Sequence, residues 1–156
     1  MRIGFDAKRA FLNNTGLGNY SRDTIRILSQ FYSDNKYFLY TPKNNNNPRV
    51  SFISDKDNTF IRTPESLINK ALKSYWRSKS IVKDLFNNKI DIYHGLSNEL
   101  PLGIEKTSIK TVVTIHDLIF IRYPHFFKTI DRKIYYKKFK SACKRADKII
   151  AVSDQT

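Results

Sequence analysis

Two hydrophobic patterns alternate along the chain: short apolar or β-branched runs, and longer stretches where apolar residues recur every three or four positions. Residues 2–6 predict a first strand, and the polar, Asn-containing residues 8–15 predict a loop. Gly16-Leu17-Gly18 then opens a helix whose apolar positions Tyr20, Ile25, Leu28, Phe31 and Tyr32 continue to a break at Ser33-Asp34-Asn35. Residues 36–40 predict a second strand. Pro42 and the Asn run 44–47 mark a solvated turn before two short strands at 50–53 and 59–62. Thr63-Pro64-Glu65 supplies a cap, a first-turn proline and an early acid for one long helix reaching Asn87-Asn88. Its expected buried stripe is Leu67/Ile68, Ala71/Leu72, Tyr75/Trp76, Val82 and Leu85/Phe86.

Further strands are predicted at 90–94, 110–115 and 148–152, with a turn-rich loop at 95–106 and a second long helix at about 129–146. Tyr123-Pro124 ends extended structure after the fifth strand, and Ser153-Asp154 resembles a helix cap. Strands and helices alternating at crossover lengths of about 30 residues argue for a mostly parallel sheet covered on both faces. The expected fold is therefore α/β, a single Rossmann-like doubly wound domain, with no internal repeat.

Composition narrows the partners more than the fold. The 156 residues are 40% hydrophobic and 13% aromatic, enough for a core. Yet 28 Lys and Arg stand against 14 Asp and Glu, a formal charge of +14 that favours polyanions: phosphorylated ligands, anionic membrane surface or nucleic acid. One cysteine, Cys143, excludes an intrachain disulfide and fits a reducing cytosol. The amino terminus lacks a signal-peptide core, and no apolar stretch approaches the roughly 20 residues of a membrane span. A cytoplasmic location is expected, with any membrane contact peripheral, at the inner face.

Four constellations could carry chemistry. At the first helix, Gly16, Leu17 and Gly18 offer free amides and a positive dipole end to a phosphate. A lone GxG without a third glycine or a Gly-Lys-Ser/Thr disfavours nicotinamide enzymes and P-loop NTPases, and reads equally well as a plain helix-opening turn. After the fourth strand, Ser97, Asn98 and Glu99 suit a polyhydroxyl ligand or a packed turn, and His94 reads as a core-edge histidine.

His116-Asp117 follows a buried β-branched strand at the sheet edge where open α/β folds bind ligands. Adjacent residues in extended chain point to opposite faces, so one faces the ligand while the other caps backbone. Lys133, Lys137, Lys140 and Lys144 form one stripe on the second long helix, either a solvated face or a contact for anionic membrane or acidic ligand; Lys70, Lys73, Arg77, Lys79 and Lys83 extend it if the helices are neighbours. No Gly-x-Ser-x-Gly elbow and no HExxH-like spacing exist, which disfavours a serine hydrolase and zinc.

Taken in order, Ile3-Gly4-Phe5-Asp6-Ala7, Thr15-Gly16-Leu17-Gly18-Asn19-Tyr20, Asp91-Ile92-Tyr93-His94-Gly95, Leu100-Pro101, Val113-Thr114-Ile115-His116-Asp117-Leu118, Tyr123-Pro124 and the segment from Ala146 to Ser153 resemble the amino-terminal half of the retaining GT-B glycosyltransferases of family four, a group that includes bacterial mannosyltransferases. The resemblance implies an acceptor-binding domain over residues 1–156, facing a carboxyl-terminal donor-binding domain that these residues do not contain. It implies a nucleotide-diphosphate sugar donor, GDP- or UDP-linked, whose hexose (mannose in the matching group) passes to a glycan or lipid-linked acceptor without a metal. It places Gly16 to Gly18 near the donor diphosphate and His116 near the transferred sugar as the catalytic candidate; Asn19, Tyr20, Ser97, Asn98 and Asp117 are candidates for acceptor or sugar contact.

Asn19 departs from the basic residue of the Gly-x-Gly-Arg-Tyr version, removing one cation. Without the second domain, the isolated chain is expected to be a poor catalyst for polysaccharide biosynthesis. The competing expectation is a non-catalytic basic module that binds anionic membrane or another polyanion, with nucleic acid ranked lower because no aromatic-basic recognition motif is present.

Overall fold

The computed structural model describes residues 1–45, 47–53 and 56–156, so Asn46 of the asparagine run lies outside the described residues. Six parallel strands form one sheet: β1 (Arg2–Asp6), β2 (Lys36–Tyr40), β3 (Thr59–Arg62), β4 (Ile92–Gly95), β5 (Lys110–Ile115) and β6 (Lys148–Ala151). They lie in the order β3-β2-β1-β4-β5-β6. This is the doubly wound, Rossmann-like order, and the direction of winding reverses between β1 and β4. Loops leaving those two strands part in opposite directions, opening a crevice at their carboxyl ends.

Strand alternation sorts the core into two layers. Phe5, Tyr37 and Leu39 pack with Ala10, Phe11 and Ile25 of α1 (Lys8–Leu12) and α2 (Gly16–Phe31). Phe38, Tyr40, Tyr93, Val113 and Ile115 pack on the other face, against Trp76, Leu85 and Ala142. The first layer is incomplete. Beyond α2, Ile92, Val112 and Ile150 share an open groove with Ile27, and all of β6 is exposed, so among the described residues neither face of β6 is covered.

Local structure departs from the sequence pattern in three places. Residues 8–15 are not wholly loop: Ala10 and Phe11 are fully buried, and that apolar pair carries the short α1 into the core. Residues 48–53 form a 3₁₀ segment rather than a strand, burying Val50 and Ile53 three residues apart, at 3₁₀ spacing.

The expected long helix at 63–88 is broken. It starts at a Ser66 cap, whose Oγ accepts the Asn69 amide (3.2 Å), and α3 (Leu67–Ala71) ends at Leu72, where ψ turns to 56°. The chain resumes as α4 (Lys73–Tyr75), a π-helical turn (Trp76–Ser80) and α5 (Ile81–Asn87). The π turn adds a residue, so Trp76 and Ile81 face the core five positions apart, while Leu67, Ile68, Leu72 and Phe86 stay exposed. The Trp76 indole donates to Asp84 Oδ2 (2.6 Å), satisfying its buried N–H. Two further helices follow β5: α6 (Ile119–Arg122) and α7 (Thr129–Arg145).

Neighbours in sequence should therefore differ sharply in their contribution. Leu85→Ala should cost about 2–5 kcal/mol, the usual range for a buried leucine, and Phe86→Ala less than about 0.5 kcal/mol, the range for exposed positions, by urea denaturation. Similar costs at the two positions would place the stripe where the sequence pattern put it.

Candidate functional site

At the carboxyl end of β1, Asp6 is only 3% exposed, and a buried carboxylate requires a partner. Arg77, in the π turn, supplies it. Its Nε donates to Asp6 Oδ1 (3.2 Å) and Oδ2 (3.1 Å), and its Nη2 to Oδ2 (2.9 Å). The remaining Nη1 pairs with Glu99 Oε2 (2.8 Å), and Lys138 of α7 reaches Glu99 Oε1 (3.0 Å). Burial alone would lower the Arg77 pKa; Asp6 and then Glu99 more than offset this and raise it above the ordinary arginine value. Four elements are thus tied at the crevice: β1, the π turn, the loop after β4, and α7.

The glycine turn forms the start of α2. Asn13 Oδ1 accepts from the Thr15 amide (2.9 Å), the Thr15 hydroxyl (2.7 Å) and the Gly18 amide (3.2 Å). A Cβ on Gly18 would lie 1.9 Å from the Asn13 carbonyl oxygen, so that glycine is required by backbone packing. Gly16 meets nothing within 4 Å of an added Cβ, and its face of the helix start is open to a ligand. Arg22, buried beneath, donates to the carbonyls of Ala10 and Asn13 and to Asn19 Oδ1 (2.6 Å). Asn19 therefore spends its side-chain oxygen on the protein.

His116 sits across from this turn. The Tyr20 ring meets it edge-on at 4.9 Å between centroids. Its Nε2 lies 2.7 Å from the Leu96 carbonyl; since a carbonyl only accepts, Nε2 carries the hydrogen, leaving Nδ1 as the acceptor of the neutral ring. The His116 amide donates to Asn98 Oδ1 (3.0 Å), and Asn98 adopts φ 60°, a left-handed conformation asparagine tolerates well. Asp117 turns away and accepts the Ile119 amide at the start of α6 (3.2 Å). Ser97 is buried in the same loop.

His94 lies below, in the core. Its Nε2 contacts Thr114 Oγ1 (2.8 Å), which also contacts the Tyr20 hydroxyl (3.1 Å). Tyr20 is thereby held to the sheet while its ring supports His116. Burial pushes the His94 pKa down to about 4.

Between the π turn and α7 a cavity of about 620 Å³ opens beside the ion network, lined in part by Lys8, Arg9, Tyr93 and Arg145. Lys137 faces it, whereas Lys133, Lys140 and Lys144 are exposed along α7. Arg77, grouped by its sequence position with surface cations, is instead the interior member of the network. Asp6 stands in one of the segments that carry the resemblance but draws no role from its sequence, and its pairing with Arg77 of the π turn is a purely three-dimensional signal. Among the described residues no group of three His, Cys, Asp or Glu could hold a metal, and no helix is long and apolar enough to cross a membrane.

The family model for Glycosyltransferase Family 4 matches residues 15–156. No curated protein matches the sequence significantly. Among solved structures, an alpha-glucosyltransferase in complex with UDP and a 13-mer DNA containing a HMU base is 17% identical, with a TM-score of 0.44; the match covers 97% of this chain and 37% of that one.

Because the folded-state pKa of His94 lies below its unfolded value of about 6.5, the unfolded chain binds more protons between those values. Its contribution is complete above about pH 6.5 and is lost as pH falls toward 4, amounting to roughly 3 kcal/mol. Urea midpoints measured across pH 4–7 should show this slope, and His94→Gln should flatten it. An unchanged slope would remove His94 as the acid-sensitive group.

Proposed function

Because the chain belongs to Glycosyltransferase Family 4, we propose that it is the acceptor-side half of a GT-B sugar transferase that moves a hexose from a GDP- or UDP-linked donor to a glycan or lipid-linked acceptor. The observation that carries this reading is the meeting of α2 and His116: Tyr20 packs on the imidazole while Leu96 fixes its tautomer. An imidazole with Nε2–H engaged presents Nδ1 as a hydroxyl acceptor, which suits orienting a sugar.

The open Gly16 side of the α2 amino terminus offers amides and a dipole end to the donor diphosphate. Gly18 contributes less than the sequence suggests, since its amide is taken by Asn13. Leu17 lends the diphosphate only its backbone. Asn98 acts through His116, and Asp117 through the start of α6. In this reading a second domain supplies most of the donor contacts, with mannose as the first sugar to test. Positioning and charge stabilisation carry the transfer: the bond from the anomeric carbon to the diphosphate oxygen breaks, the acceptor oxygen bonds that carbon, and its proton leaves with the diphosphate.

The full-length protein containing these residues, assayed with a panel of GDP- and UDP-sugars and glycan acceptors, should transfer sugar. Gly16→Val, which keeps the amide but sets a branched side chain in the ligand's approach, should raise the KM for the sugar nucleotide about tenfold, equivalent to one lost charge-assisted contact, with the melting temperature unchanged. His116→Ala should lower kcat by about 10²–10³, as removal of a positioned polar group in a transfer site does. Neither binding nor transfer with any donor would overturn the reading.

A further inference from the structure

The cavity between the π turn and α7 is lined by six cationic side chains and two carboxylates. Both carboxylates are already engaged: Asp6 by Arg77, and Glu99 by Arg77 and Lys138. Arg145 is held by the carbonyls of Leu100 and Pro101 and by Glu105. Lys8, Arg9 and Lys137 have no carboxylate within 4.0 Å among the described residues. The cavity therefore presents cations that the described protein does not neutralise.

Its other wall is apolar. Tyr75, Leu102, Ile134 and Tyr135 line it, and each is an exposed large hydrophobic residue. Surfaces of this kind in soluble domains mark binding sites more often than idle surface. A neutral glycan would leave the cations unmatched, and inorganic phosphate would leave the apolar wall wet.

We propose that this cavity binds a phosphate group carried on an apolar or aromatic body, with Lys8, Arg9 and Lys137 taking the phosphate and the Tyr75–Ile134 wall taking the body. The position of Lys8 agrees. Burial first, then the neighbouring Arg77 and Arg9, push it below the ordinary lysine value, with Asp6 and Glu99 offsetting this only in part. On the reading given under Proposed function, on which this inference rests, the ligand is a phosphorylated acceptor, and the cavity lies beside the loop that orients His116.

The test uses calorimetry on the 156-residue chain with octyl phosphate below its micelle concentration, inorganic phosphate and octyl glucoside. Octyl phosphate should bind more tightly than either of the others. Lys8→Gln and Arg9→Gln should each weaken it about tenfold, the value of one charge-assisted contact, while Lys36→Gln, at the opposite sheet edge, should not. Sedimentation with phosphatidylglycerol vesicles separates the sources: if Lys8→Gln and Arg9→Gln also weaken vesicle binding, the phosphate comes from a lipid headgroup, and if only octyl phosphate is affected it comes from a soluble molecule. Either result supports the cavity as the phosphate site.

No binding of octyl phosphate, or binding indifferent to Lys8 and Arg9, overturns the assignment. Sugar transfer by the full-length protein to an uncharged acceptor, combined with no octyl phosphate binding, would sink the cavity proposal and leave the transferase reading standing.

Discussion

A buried carboxylate at the end of the central strand constrains everything around the crevice. A buried charge at Asp6 requires a partner, and Arg77, within the π turn at Trp76–Ser80, supplies it. Arg77 then has one nitrogen left for Glu99, which in turn engages Lys138. The loop after β4 that carries Glu99 also carries Leu96 and Asn98, the two groups that orient His116. One ion pair thus reaches from β1 through the π turn to the imidazole. Pairs of this kind add little net stability over an apolar replacement, but leaving one charge alone is costly.

The same network explains the uneven charge distribution. A formal charge of +14 spread evenly would leave every crevice cationic. Here the two carboxylates of the cavity wall are committed to Arg77 and Lys138, so the uncompensated charge gathers on Lys8, Arg9 and Lys137 beside an apolar wall. The outer lysines of α7, Lys133, Lys140 and Lys144, are solvated and separate from this arrangement.

Much of the architecture was legible in the chain because parallel strands announce themselves as continuous apolar runs. Residues 2–6, 36–40, 59–62 and 110–115 are strands as the pattern predicts, and the α/β alternation leads directly to the six-stranded parallel sheet. Errors arose where one apolar pattern fits two periods. Val50 and Ile53 suit a 3₁₀ spacing as well as a strand, and the apolar residues between 67 and 86 form one stripe only if no extra residue interrupts the helix. At the site, Gly16, His116 and the 97–99 loop stand out in sequence because glycine and histidine are conspicuous at strand and helix ends. Asp6 and Arg77 are 71 residues apart and ordinary in type. Their pairing depends on burial and helix register, neither of which a local pattern encodes.

The dependence on that ion pair is tested most directly by a double-mutant cycle of Asp6→Asn and Arg77→Met, with unfolding free energies from urea denaturation. Each single variant should cost about 3–5 kcal/mol, because each strands a buried partner, and the double variant should cost little more than either single. A coupling below about 0.5 kcal/mol, with the two costs simply adding, would contradict it.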